Sequence, residues 1–205
     1  MISAHLPILQ IVVPLLAAPI SVFFRRAAIV WYLTLIVSII TLAISITLLA
    51  QTLDQGVISY ALGNWAAPFG IEYRIDAVNA FVLVIISAIG TIVLPYARVS
   101  VANEIEPHNQ SLFYTCYLLC FTGLLGMVIT GDAFNIFVFL EISSLSTYVL
   151  VALGAKQDRR ALTASYNYLV MGTIGATFFV IGVGLLYMMT GTLNMADLAQ
   201  KIPAI

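Results

Sequence analysis

The stretch FNIFVFLEISSLSTYVLVALG, residues 134–154, carries a single ionisable side chain, Glu141, in an otherwise apolar run. A carboxyl group can take up, hold and release a proton. Placed in hydrocarbon as a charge it costs about 3 kcal/mol on insertion scales, so it is kept there mainly where an ion path uses it. The bland reading, a protonated Glu141 making one structural hydrogen bond, is the weaker of the two on the same ground. Ser144 lies at i+3 on the same helical face, and Ser143, Ser146 and Thr147 make this half of the segment hydroxyl-rich. Such groups can bond across helices or hold water. Asp132, in TGDAFN, reads first as a helix cap or interface charge and second as an ion-access group. Asn167, beside Ser165 and Tyr166, could line water, with core packing as the plainer role.

Other chemistries are excluded. No Ser or Cys inside an apolar segment has a His at its depth, so a nucleophile would lack a base. Asp132 and Glu141 stand nine residues apart and form no carboxylate dyad on a helix. A Gly-rich phosphate loop and a multi-His metal motif are both missing from the sequence. Cys116 and Cys120 read as small apolar packing residues. Neither catalysis nor a bound cofactor or metal is expected, and a formal net charge of −1 offers no footprint for nucleic acid.

The elements that must position Glu141 follow from the solvent. The chain is 62% hydrophobic and 8% charged, with a mean hydropathy of +1.07, which is the composition of a membrane protein. Six segments reach spanning length: 6–24, 28–50, 77–97, 111–130, 133–154 and 161–189. The fold class expected is an all-α polytopic membrane protein, a single membrane domain over 1–205. The first segment lacks a basic leader and is followed by Arg25 and Arg26, so it reads as an uncleaved span, with Pro7, Pro14 and Pro19 implying kinks. Glu141 would sit about 12 Å from one end of its helix and about 20 Å from the other.

Basic residues orient the bundle. Arg25, Arg26, Arg98, Lys156, Arg159 and Arg160 fall on one side if the spans alternate, against Arg74 and Lys201 on the other. The six-to-two bias puts the first set in the cytoplasm and both termini outside. Between the second and third spans, VISYAL and GIEYRI flank GNWAAPF, and Ile71, Tyr73 and Ile75 alternate with Glu72, Arg74 and Asp76. That period predicts a short extracytoplasmic β-hairpin. Trp31, Tyr32, Trp65, Tyr96 and Tyr187 are expected at the interfaces, and Gly172, Gly175, Gly182 and Gly184 at close helix contacts.

Residues 130–199, from TGDAFNIFVFLEISS to TLNMADLA, resemble the antiporter-like subunits shared by Mrp-type cation/proton antiporters and respiratory complex I. GNWAAPFGIEYRIDAVNAF matches the segment those subunits carry before their third span. The likeness is greatest to the Mrp D type, with complex I and membrane hydrogenase subunits next. It implies that Glu141 is a proton-relay carboxylate, paired with a lysine on a later, broken helix. It also implies partners: other membrane subunits of a bacterial inner-membrane complex, with H⁺ and a monovalent cation, expected to be Na⁺, as transported ions. Two departures stand out. Such subunits have more than a dozen spans in two inverted repeats, and no Lys lies in any of the six segments here. The chain is therefore expected to be the N-terminal part of such a subunit. Proton pumping in a redox-driven complex is the alternative within the same class, and a scaffold with a vestigial carboxylate is the alternative outside it.

The orientation is checked by cysteine labelling. A membrane-impermeant maleimide should modify Asn64→Cys in intact cells, and Gln157→Cys only after the membrane is opened; the reverse pattern would invert the topology.

Overall fold

The computed structural model describes residues 2–24 and 26–204; Arg25, counted in the charge bias above, lies outside the described residues. Six long helices dominate: α1 (Leu6–Val22), α2 (Ala27–Gln55), α3 (Ala77–Glu104), α4 (Gln110–Ile129), α5 (Ala133–Ala152) and α6 (Arg160–Thr190). A short α7 (Met195–Lys201) follows. Five of them, α2 to α6, are long and apolar enough to cross a membrane. The sixth, α1, has 17 residues and contains Pro14 and Pro19, each of which lacks the N–H that would bond one turn back.

Helix ends follow local chemistry. Asp76 caps α3 by accepting the Asn79 backbone N–H at 2.8 Å, and Asp132 caps α5 by accepting that of Asn135 at 2.7 Å. Asn194 Oδ1 accepts from Ala196 and Asp197 at the start of α7. Gly191, with φ +69°, ends α6 in the left-handed conformation that residues bearing a Cβ rarely adopt.

The packing turns its polar side inward. On α2, Thr34, Ser38, Thr41, Ser45 and Thr52 are all buried. Thr34, Thr41, Ser45 and Thr52 donate to the carbonyl one turn back, between 2.7 and 3.1 Å. Gln10 of α1 donates to Ser45 at 2.6 Å, and Ser87 of α3 reaches the same hydroxyl at 3.0 Å. Large apolar residues face outward instead, among them Ile36, Ile46, Ile92, Phe178 and Met188. Trp31, expected at the interface, is buried and donates its indole N–H to Leu94 O at 2.9 Å, with the Arg98 guanidinium 4.6 Å over its ring. Tyr32, Trp65, Tyr96 and Tyr187 are exposed.

The helix α4 is central, packing against α1, α2, α3 and α5, while α6 packs chiefly on α5. Glycines bring α4 close against α5. A Cβ on Gly123 would come within 2.6 Å of the Ser143 backbone nitrogen, and one on Gly126 would overlap the Phe139 ring. The sequence pattern predicts close contacts on α6, but only Gly172 serves there, beneath the Tyr148 hydroxyl. Gly175, Gly182 and Gly184 meet nothing within 4 Å because they lie on faces of α6 that α5 does not cover.

Between α2 and α3, β1 (Ile58–Ala61) and β2 (Glu72–Ile75) form an antiparallel hairpin, with Tyr60 opposite Tyr73. Tyr73 and Ile75 enter the core with Ile11, Leu48, Leu83 and Ile129. The strict alternation expected over residues 71–76 fails at two positions: Glu72 is buried, like Tyr73 and Ile75, and Ile71 is exposed. The reason is a continuation of the ladder across two helix junctions. Tyr73 bridges Thr130, Asp132 bridges Asn194, Gly131 N–H donates to Glu72 O at 2.8 Å, and Met195 N–H donates to Gly131 O at 2.8 Å. Glu72 thus faces protein rather than water.

Because the α4–α5 contact is made by backbone, it cannot relax by a rotamer change. Gly123→Ala should therefore cost about 1–3 kcal/mol, the scale of overpacking, and lower the thermal midpoint of the purified protein. Gly182→Ala, in open space, should leave that midpoint unchanged.

Candidate functional site

Two carboxylate environments emerge, one within the membrane and one at the hairpin end. Glu141 belongs to the first. Phe139, Ser143 and Ser146 form the buried face of α5, with Phe139 and Ser143 against Gly123 and Gly126 of α4. At about 100° per residue, Glu141 points roughly 200° away from Phe139. Tyr148 lies seven residues further on and within about 20° of Glu141 in direction. It packs on α6, where Ser165 Oγ donates to Tyr148 O at 2.7 Å and the Tyr168 ring sits edge-on at 5.1 Å. The same face carries Glu141, which is half-buried.

The hydroxyls around Glu141 turn back on their own helix: Ser143 to Leu140 O, Ser146 to Ile142 O, and Thr147 to Ser143 O. Thr147 also meets Cys120 Sγ of α4 at 3.3 Å, a packing contact consistent with free thiols. Ser144 shares the Glu141 face and is half-buried. Ion pairs among the described residues join His108 to Glu106, Arg160 to Asp158 and Lys201 to Asp197; none involves Glu141. Asn167 is exposed on α6, near the level of Tyr148 rather than of Glu141. Asp132 stands at the α5 N-terminus, nine residues and about 13 Å along the axis from Glu141. The fold thus brings only Ser144 near the central carboxylate.

The second environment has no counterpart in the sequence reading. Glu72, on the expected solvent side of a strand, is buried with both oxygens engaged: Ser59 Oγ donates to Oε1 at 2.5 Å and Asn194 Nδ2 donates to Oε2 at 2.8 Å. The second bond links residues 122 apart in sequence. Burial also pushes the Tyr73 hydroxyl up to about 12, so that phenol stays neutral across the physiological range. Asp197 is held below the usual carboxylate range by its hydrogen bond from Lys201 and, next, by one from Thr192. No signal in the sequence could pair Glu72 with Asn194, because the pairing exists only once the α6–α7 junction lies against β2.

Known proteins share this fold. The family described as NADH:quinone oxidoreductase/Mrp antiporter, TM, matches residues 130–204. An NADH-quinone oxidoreductase protein of Desulforudis audaxviator, its N-type subunit, is 41% identical over 204 residues, 98% of this chain and 40% of the relative. The D-type Na⁺/H⁺ antiporter protein of Bacillus subtilis is 35% identical over 196 residues, 95% of this chain and 39% of the relative. The chain thus spans about two fifths of the length of these relatives. Among solved structures, a chain of the archaeal membrane-bound sulfane sulfur reductase superposes with a TM-score of 0.85 at 31% identity, covering 96% of this chain and 40% of that one. A chain of the Mrp complex from Dietzia gives 0.82 at 24% identity, covering 96% and 36%, a likeness of fold. Over these two fifths of their length, this chain is homologous to the antiporter-like membrane subunits of Mrp antiporters and NADH:quinone oxidoreductases.

Proposed function

We propose that the chain works within a proton-translocating subunit of a multisubunit monovalent cation/proton antiporter, exchanging Na⁺ for H⁺, with Glu141 as its proton relay. In this reading α1 is a sixth span, both ends of the chain lie outside the cytoplasm, and other membrane subunits complete the complex. The observation that carries the reading is the setting of Glu141: half-buried, mid-helix, on the face of α5 toward α6, with no ion-pair partner among the described residues. The relatives named as antiporter subunits support the reaction class.

The chemistry needs a cation whose distance can change. A positive charge beside a carboxylate favours its ionised form, and its withdrawal favours protonation. No Lys or Arg lies in α5 or in α6 beyond its first residue, Arg160. In this reading the cation comes from an element other than α5 and α6 or from another subunit of the complex. Ser144 on the Glu141 face would help hold water along the proton's route.

A second reading is favoured by one observation: the relative at 41% identity is named as a quinone oxidoreductase subunit, ahead of the antiporter subunits at 35–36%. There the same carboxylate would serve proton pumping driven by electron transfer in other subunits. Purification of the native complex separates the two, since iron–sulfur subunits accompany only the redox version.

Glu141→Gln keeps the shape of the side chain and removes its titration. In vesicles containing the assembled complex, cation/proton exchange should fall by about two orders of magnitude, the scale of losing a proton-transferring group, while assembly persists. Unchanged exchange would leave this chain a scaffold.

A further inference from the structure

We propose that the notch where the first turns of α2 and α4 meet the end of α3, opposite the hairpin, holds the phosphate group of an anionic phospholipid. The inference stands apart from the Glu141 reading and uses none of its residues. The notch is a cavity of about 140 Å³, walled by Ala28 and Trp31 of α2, Arg98 and Ala102 of α3, and Gln110 and Tyr114 of α4. The residues of each pair lie three or four apart, so each helix offers one face. A water's share of the liquid is about 30 Å³, so the cavity takes a phosphate group and not a whole headgroup.

Arg98 is the charged residue of the lining, and among the described residues it makes no ion pair. Its guanidinium lies 4.6 Å over the Trp31 ring and 5.6 Å over that of Tyr32, and Trp31 is itself held by its bond to Leu94 O. Stacking fixes the plane of the guanidinium and leaves its N–H edge for an oxyanion. Tyr114 points to a ligand independently. It is 2% exposed and packs among Val30, Leu94, Ala97 and Val101, yet it lines the cavity, and its hydroxyl makes no hydrogen bond among the described residues. The Arg98 charge acts on that hydroxyl, so phenol and guanidinium face the same space. A buried hydroxyl without a partner costs stability, and an oxyanion in the cavity supplies the acceptor. The nearest acids are committed elsewhere: Glu104 accepts from Ser100, Glu106 pairs with His108, and neither lines the cavity.

Helix ends add to the pull. Both α2 and α4 begin at this notch with neither a side-chain cap nor an acid in the first turn, whereas α3 and α5 begin at the opposite end on capping aspartates. Each N-terminus carries about half a positive charge and first-turn N–H groups in need of acceptors. The C-terminus of α3 opposes them with about half a negative charge, so the balance, with Arg98, favours an anion. The surface beside the cavity selects lipid over free phosphate. Ile29, Tyr32, Tyr96 and Val99 are exposed next to the lining residues, and Ile36, Ile92 and Val93 continue the apolar surface along α2 and α3. Acyl chains lie along that surface while the phosphate sits in the notch. Basic pockets between membrane helices hold anionic headgroups in this way.

Tyr114→Phe removes one oxygen and keeps the ring, while Arg98→Gln removes the charge. The native complex, unmodified or carrying either variant, is reconstituted in phosphatidylcholine vesicles with and without phosphatidylglycerol. Phosphatidylglycerol should raise the thermal midpoint of the unmodified complex, and that increment should shrink in both variants, since lipid bound to other subunits is common to all three. In native mass spectrometry, Arg98→Gln should bind added phosphatidylglycerol about tenfold more weakly, the loss of one charge-assisted contact. In phosphatidylcholine alone, Tyr114→Phe should leave the midpoint unchanged, because the hydroxyl has no protein partner to lose. Full-sized increments in both variants overturn the site. A midpoint lowered by Tyr114→Phe in phosphatidylcholine alone also overturns it, since the hydroxyl would then serve the fold. Inorganic phosphate added to phosphatidylcholine vesicles should have no effect; if it reproduces the increment, the ligand is a free anion and the lipid assignment falls. Should Arg98→Gln fail to assemble, the Tyr114→Phe increment decides alone.

Discussion

Hydrocarbon offers no hydrogen-bonding partner, so every polar group between the two ends of these helices must be satisfied by the protein itself. This constraint arranges the bundle. Buried Thr34, Thr41, Ser45 and Thr52 of α2 turn onto their own carbonyls, and Gln10 and Ser87 converge on Ser45, while Ile36, Ile46 and Phe178 face out. Burial in this chain therefore takes in small polar side chains beside an apolar core that includes Ile11, Leu48, Leu83 and Leu125. Within that scheme a carboxylate turned neither to α4 nor to solvent is conspicuous, and Glu141 is such a group.

The two carboxylate environments differ in what surrounds them. At the hairpin end, irregular backbone from three connections forms a shared ladder, and its side chains lock one another: Glu72 by Ser59 and Asn194, Asn194 by the first turn of α7. Within α5, Ser143, Ser146 and Thr147 spend their hydroxyls on their own backbone, and Glu141 makes no ion pair among the described residues. The α6 helix, buried only at Ala176 and Val183, leaves most of its surface uncovered.

How much of this is legible in the sequence depends on the range of the interaction. Helix positions follow from apolar runs, since a bilayer demands about 20 such residues, and the hairpin from its alternation and turn residues. Asp76 and Asp132 announce caps because the capping bond spans three residues. Glu72 is illegible for the converse reason: its partner is 122 residues away. The glycines show the same limit. Gly123 and Gly126 look no different from Gly182 and Gly184 in sequence, yet only the first pair meets a neighbouring helix. The direction of Glu141 cannot be read either, because the apolar residues of α5 surround it evenly and only the α4 contact breaks that symmetry.

That contact has a mechanical outcome. With Gly123 against the backbone of Ser143 and Gly126 beneath Phe139, α5 is keyed to α4 and has no freedom to swivel about its long axis. The azimuth of Glu141 is thereby set by glycine.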